Sequence, residues 1–151
     1  MNLTEEPEIV TWPATHYVFV EAGGPFQQTA PKAWQAAHAS LGALSEHNKV
    51  AGNMSLYQVK PPVYRAGFAL AAAPVDLPPG LTYENFAGGK YCRFVLTGSY
   101  AQLGAATGRV FELVGKKGIA VRAGFNIENY VNNPSTTPED QLITEILIPT
   151  V

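Results

Sequence analysis

One cysteine, Cys92, stands in the whole chain of 151 residues, so no internal disulfide can form. Charge is scarce as well: Asp, Glu, Lys and Arg make up only 15% of the residues, and the formal net charge is −2. That balance leaves no electrostatic footprint for nucleic acid, and no basic stripe runs through the sequence. No apolar run is long enough to span a bilayer. The segment Met1 to Val10 is acidic and lacks an apolar stretch, so no secretory signal is expected. Together these absences predict a cytoplasmic protein with no direct nucleic-acid binding and no membrane contact.

The usual chemical signatures are missing too. His16, His38 and His47 do not flank one another or Cys92 at ligand spacing, so no metal site is expected. Cys92 has no histidine or basic helix end beside it in sequence and reads as buried and inert. Gly98-Ser99-Tyr100-Ala101-Gln102-Leu103-Gly104 lacks the lysine and hydroxyl residue that a phosphate loop needs. Gly104 to Gly108 falls in mid-helix without a dinucleotide fingerprint, and no serine sits in a nucleophile elbow. No cofactor is expected.

What the chain does contain is one unit written twice. His16-Tyr17-Val18-Phe19-Val20-Glu21-Ala22-Gly23-Gly24-Pro25-Phe26 runs parallel to Lys90-Tyr91-Cys92-Arg93-Phe94-Val95-Leu96-Thr97-Gly98-Ser99-Tyr100. Tyr17 falls on Tyr91, Gly24 on Gly98 and Phe26 on Tyr100. Each copy continues into a helical stretch and two further strand-like runs, and the period is too long for a solenoid. The hydrophobic content of 46% is enough for a real core. The expected architecture is α+β: a single domain over 1–151, built from two β-α-β-β repeats related by a pseudo-twofold, with a mostly antiparallel sheet. Repeat one spans about 8–73, a proline-rich linker about 74–80, and repeat two about 81–151. Halves joined in this way tend to leave a ligand cleft at their junction.

Within repeat one, Glu8 to Thr11, His16 to Glu21, Met54 to Val59 and Tyr64 to Ala71 read as strands. Thr29 is expected to cap a helix with Pro31 in its first turn. Trp34, Ala37, His38, Leu41 and Leu44 form its apolar face. In repeat two the strands are Leu81 to Phe86, Lys90 to Leu96, Phe125 to Val131 and Gln141 to Ile148. Leu103, Ala106, Val110, Leu113 and Val114 form the face of a second helix that stops at Gly118.

Glu145 is the sharpest residue, because it sits in an otherwise apolar strand where an unpaired carboxylate is expensive. Strand alternation puts Ile143, Glu145 and Leu147 on one face and Leu142, Thr144, Ile146 and Ile148 on the other. If the second face packs on helices, Glu145 points into the cleft, to hold a cation or act as a base. The plainer reading makes it a solvated carboxylate or a partner of Arg65 or Arg93. Glu128 and Tyr130 share a strand face, and the tyrosine offers a ring to stack on and a hydroxyl to donate. Tyr57 holds the related place in repeat one. Gly67 is aligned with Glu145, so only one half keeps the carboxylate. Trp34 reads first as core and second as a pocket wall.

Gly89-Lys90-Tyr91, Gly98-Ser99-Tyr100, Glu128-Asn129-Tyr130-Val131-Asn132-Asn133-Pro134 and Thr144-Glu145-Ile146-Leu147-Ile148-Pro149, in that order, resemble the GyrI-like small-molecule-binding family. That family includes the effector-binding domains of AraC-type and MerR-type multidrug-responsive regulators. The resemblance implies two β-α-β-β modules around a central cleft. It matches Glu145 to the family's last-strand acidic residue, which meets the charge of lipophilic cations, and it matches Tyr130 and Glu128 to its recurrent aromatic and acidic pair. Asn129 stands where the family usually has an apolar residue, and Leu147 where an aromatic is frequent. No helix-turn-helix is seen before the domain, so the resemblance is to stand-alone members.

The leading expectation is a cleft that binds a hydrophobic, aromatic or cationic small molecule for sensing or protection, lined by Glu145, Tyr130, Glu128, Tyr57, Leu147, Ile143 and Trp34. One alternative is a cofactor-free hydrolase of electrophilic, cyclopropane-containing natural products. In it Glu145 would activate water and Tyr130 would supply a proton, provided the two converge on one spot. The other is a protein-interaction module that antagonises a toxin.

Overall fold

Where β-branched and aromatic residues cluster the chain is extended, and where alanine and leucine recur at helical spacing it is coiled. The computed structural model describes all residues, 1–151. Strands and helices follow in the order β1 (Asn2–Leu3), β2 (Glu8–Trp12), β3 (Thr15–Gly23), α1 (Phe26–His47), β4 (Val50–Gln58), β5 (Val63–Leu70), β6 (Thr82–Phe86), β7 (Gly89–Thr97), α2 (Leu103–Lys116), β8 (Asn126–Tyr130) and β9 (Ile143–Pro149). Short 3-10 turns occupy Tyr100–Gln102 and Glu139–Gln141. No helix is long and apolar enough to cross a membrane.

The chain divides into two compact units, residues 13–88 and residues 1–12 with 89–151. In the first, β4, β5, β3 and β6 lie side by side, and every pairing is antiparallel. In the second, β8, β9 and β7 lie side by side, again antiparallel, and β1 and β2 both pair with the other edge of β7. Each unit therefore carries one β-α-β-β repeat in which the last strand lies between the first two. The α+β, mostly antiparallel class expected from the sequence is the one observed.

The leading strands are exchanged relative to the sequence expectation. β2 precedes the first repeat but pairs with β7 of the second, with Ile9 opposite Cys92. β6 precedes the second repeat but pairs with β3 of the first, with Tyr83 opposite Val18. Local alternation makes a segment a strand but does not specify which edge it joins, which is a tertiary choice. Ion pairs from Glu5 to Arg109, Glu6 to Lys117 and Glu8 to Arg93 line the N-terminal segment up against the second unit. These carboxylates are exposed, so the pairs add little stability.

Helix α1 starts earlier than the sequence indicates. Gly24, at φ +92°, turns the chain out of β3, and the helix begins at Phe26 with Pro25 as N-cap and Pro31 inside it. Thr29 does not cap; its hydroxyl donates back to the Pro25 carbonyl at 3.1 Å. The amide that Pro31 lacks lies near the helix start, and the burial of Ala33, Ala37 and Leu44 offsets that loss. Before α2, the Ser99 hydroxyl accepts from the Ala101 amide and caps the 3-10 turn that leads into the helix. Gly118, at φ +66°, ends α2 as expected.

Each helix buries one stripe against its own strands. Ala33, Ala37 and Leu44 pack on Val18, Ala66, Phe68 and Leu70, while Ala106, Val110, Leu113 and Val114 pack on Cys92, Phe94, Leu96, Ile146 and Ile148. Phe68 and Phe94 are fully enclosed, and cutting either to alanine should remove about 3–5 kcal/mol. Cys92 is fully buried, its thiol directed to the Ile148 carbonyl at 3.5 Å, and burial pushes its pKa up.

Gly67 marks the tightest approach in the first unit. A β-carbon there would overlap the Val18 carbonyl oxygen and lie 2.8 Å from the Phe19 β-carbon, whereas Gly108 in α2 has open space around it. Gly67→Ala should therefore cost about 3 kcal/mol or more, while Gly108→Ala should add about 0.5–1 kcal/mol through helix propensity. Urea denaturation of the two variants checks both; a neutral Gly67→Ala would contradict this close packing.

Candidate ligand-binding site

Strand β8 reads Asn-Ile-Glu-Asn-Tyr, and its alternation separates two chemistries. Glu128 pairs in register with Ile146 and Tyr130 with Thr144, and Ile146 belongs to the cluster packed under α2. Glu128 and Tyr130 therefore point to the α2 side. The Tyr130 hydroxyl donates to Glu128 Oε1 at 2.9 Å, and the Thr107 hydroxyl of α2 lies 3.5 Å from Oε2. Glu128 is only 9% exposed. Burial pushes its carboxyl above the ordinary carboxylate value, against the smaller downward pull of the Tyr130 and Thr107 hydrogen bonds. No lysine, arginine or histidine pairs with it. Tyr100, which opens the 3-10 turn before α2, meets the Tyr130 ring edge-on with centroids 5.6 Å apart. On the same face, beside Tyr130, the buried Thr144 hydroxyl has no hydrogen-bond partner.

The opposite face carries Ile143, Glu145 and Leu147 of β9, as the parity argument expected. Glu145 sits across from Asn129 and Val95. Its charge is already answered: Arg93 Nη1 donates to Oε2 at 3.1 Å and the Asn129 amide donates to Oε1 at 2.7 Å. Arg93 also reaches Glu8 at 2.6 Å. Asn129, at a position where an apolar residue is usual, thus serves as a partner for this carboxylate. Leu147 is fully buried and Ile143 is half-buried. The expected convergence of Glu145 and Tyr130 on one spot does not occur, because neighbouring strands in register keep their odd and even side chains on opposite faces. The plainer reading of Glu145, a partner of Arg93, describes its contacts.

In the unit of residues 13–88, Trp34 and Tyr57 join a largely aromatic group on the α1 side. The Trp34 indole donates to the Tyr64 hydroxyl at 2.8 Å and the Ser55 hydroxyl at 3.2 Å, and those two hydroxyls are 2.6 Å apart. Phe26 lies edge-on to Tyr57, with centroids 5.8 Å apart, in the same way that Tyr100 lies against Tyr130. Trp34 is thus a core ring with its one polar atom satisfied. The strand registers also correct the alignment of the repeats. Tyr17 faces Ala69 and Tyr91 faces Pro149, so Arg65 holds the place of Glu145, and Gly67 that of Leu147. By the same registers Ser55 holds the place of Glu128 and Tyr57 that of Tyr130.

Three members of the Glu128 cluster escape a reading of the sequence. Thr107 is a polar residue beside Ala106 and Val110, at the margin of the stripe that α2 buries, and that interruption was a usable signal. Tyr100 was visible as the repeat partner of Phe26 but not as a neighbour of Tyr130. Thr144 gives no sign by itself, since threonine is ordinary in a strand.

The sequence profile described as a GyrI-like small molecule binding domain matches residues 5–151. Among curated proteins there is no significant match. In fold the chain is similar to the EcmrR C-terminal domain, with TM-score 0.80 and 13% identity over 100% of this chain and 99% of that one. It is similar to SAV2435 in a structure bound to tetraphenylphosphonium, with TM-score 0.76 and 17% identity over 97% and 94%. It is also similar to a hydrolase from Listeria innocua, with TM-score 0.61 and 12% identity over 98% and 93%. At these identities the likeness is one of fold.

A raised carboxyl pKa has a definite consequence for stability. The folded state binds the Glu128 proton more tightly than the unfolded chain does, so stability falls as pH rises from the ordinary carboxylate value through the raised one. Glu128→Gln removes this penalty. The variant should melt a few degrees above the parent at neutral pH, and the gain should vanish below the ordinary carboxylate range. Calorimetric melts across pH check it; a variant that melts lower at neutral pH would show that the buried carboxylate is a net stabiliser.

Proposed function

The chain belongs to the GyrI-like small-molecule-binding family, and from that premise we propose that it binds hydrophobic organic cations at Glu128, with Tyr130 and Tyr100 as aromatic walls. The observation that carries this reading is a buried carboxyl whose partners are hydroxyls and not a basic side chain. An ionised carboxylate in such a place lacks a counter-charge, and an organic cation supplies one without carrying the tight hydration shell of a metal ion. Aromatic faces add cation–π attraction and apolar contact. The orphaned Thr144 hydroxyl offers a further polar contact on the same face. The tetraphenylphosphonium bound to SAV2435, a protein of the same fold, is a cation of this kind. A role in sensing or in protection against a toxic compound follows from such binding.

A second reading draws on the Tyr130–Glu128 contact of 2.9 Å and on the hydrolase of similar fold. A carboxyl with a raised pKa beside a phenol is a workable acid–base pair. Glu128 would take a proton from water as the water oxygen attacks an electrophilic carbon, and Tyr130 would protonate the leaving atom. That pairing replaces the Glu145–Tyr130 pair expected from the sequence.

Titration with tetraphenylphosphonium, and with triphenylphosphine oxide as a neutral aryl probe, tests the main reading. Glu128→Gln should weaken the cation by about 1.5–3 kcal/mol, the worth of a charged hydrogen bond, and the neutral probe much less. Glu145→Gln should leave cation affinity within a factor of about 2, since Arg93 already meets that charge. The reverse pattern would move the site to the other face of the sheet. Turnover of a cyclopropane electrophile that disappears in Glu128→Gln with substrate affinity intact would favour the hydrolase.

A further inference from the structure

We propose that the empty Glu128 site holds a proton and that an arriving organic cation displaces it, so that binding releases that proton to solvent. The inference rests on the cation-binding reading and concerns how that site is regulated. Its geometric basis is the kind of partner that surrounds each carboxyl. Tyr130 and Thr107 reach Glu128 through hydroxyls, and a hydroxyl can donate to a carboxylate or rotate to accept from a carboxylic acid. This shell serves both protonation states with no change of heavy-atom positions. Glu145 is held differently: the Arg93 guanidinium and the Asn129 amide NH2 can only donate, so neither can accept a hydrogen bond from it.

Within its own unit, the groups placed against Glu128 are uncharged. From β8 comes Tyr130, from β9 Ile146 and Thr144, from α2 Thr107, and Tyr100 borders Tyr130. Arg109, the nearest charged residue along α2, is taken up by Glu5 and Glu112. Burial without a counter-charge favours the neutral carboxylic acid, in line with the upward direction of its pKa. The exchange balances simply: the acid and a free cation become a carboxylate–cation pair and one proton in solvent. Two properties follow. Cation affinity should rise with pH until Glu128 is ionised in the empty protein and then level off. At lower pH the same site should present an acidic O–H to neutral acceptors.

The experiment is calorimetric titration with tetraphenylphosphonium in buffers of different ionisation enthalpy, across a range of pH. It is accompanied by carbon NMR of the Glu128 carboxyl in the ligand-free protein. On the acid side of the Glu128 midpoint, binding should release about one proton, falling toward none well above it, and Glu128→Gln should release none at any pH. The NMR midpoint should lie above the ordinary carboxylate range. Binding that depends on Glu128 but releases no proton at any pH would overturn the exchange and leave the binding reading intact, as would a Glu128 midpoint in the ordinary range. If tetraphenylphosphonium does not bind, both the exchange and the cation reading fail, whatever the NMR midpoint.

Discussion

A β-strand sends successive side chains to opposite sides, and the chemistry of this protein follows from that parity in β8 and β9. Glu128 and Tyr130 face α2; Asn129 and Glu145 face away from it. A shift of one residue in the β8–β9 register would turn Glu128 to the face that carries Arg93 and strip the α2 side of its carboxyl. The packing of Ile146 and Ile148 under Val110 and Val114 holds the register, because a slip would carry these apolar side chains out of the core. The core thus fixes which carboxyl is buried without a counter-ion.

The two repeats keep one frame and fill it differently. Tyr17 and Tyr91 are both buried, and both donate to backbone carbonyls of their own units. Gly24 and Gly98 both take positive φ just before a helical segment. Phe26 on Tyr57 and Tyr100 on Tyr130 are the same ring contact made twice. Divergence lies in the polar positions. Ser55, tied to Trp34 and Tyr64, is the counterpart of Glu128, which is tied to Tyr130 and Thr107. One unit buries a neutral network and the other buries a group that can ionise.

Much of this was legible in the sequence. The register of the strand and turn that lead each repeat, Tyr17 on Tyr91 and Gly24 on Gly98, was visible as matched residues. The apolar stripe of α2 and the shared face of Glu128 and Tyr130 are periodic signals set by local geometry. The parity of Glu145, away from the helix-packed face, was legible too. What was not legible depends on tertiary choices. The exchange of β2 and β6 between the repeats turns on which edge is open. The pairing of Glu145 with Arg93 turns on side chains 52 positions apart meeting across β7 and β9. Isolation in an apolar strand made Glu145 look exposed to a ligand, whereas Glu128, in the more polar Asn-Ile-Glu-Asn-Tyr run, is the carboxyl without a counter-charge. Local polarity along the chain is a poor guide to the polarity around a folded side chain.

The central claim is that the buried, hydroxyl-bound carboxyl on the α2 side is the one that meets a ligand's charge. A crystal structure of the protein soaked with tetraphenylphosphonium tests it most directly. The account predicts the phosphonium beside the Glu128 carboxylate with its rings against Tyr130 and Tyr100. A phosphonium ordered beside Glu145, with the Arg93 contact broken, would contradict it.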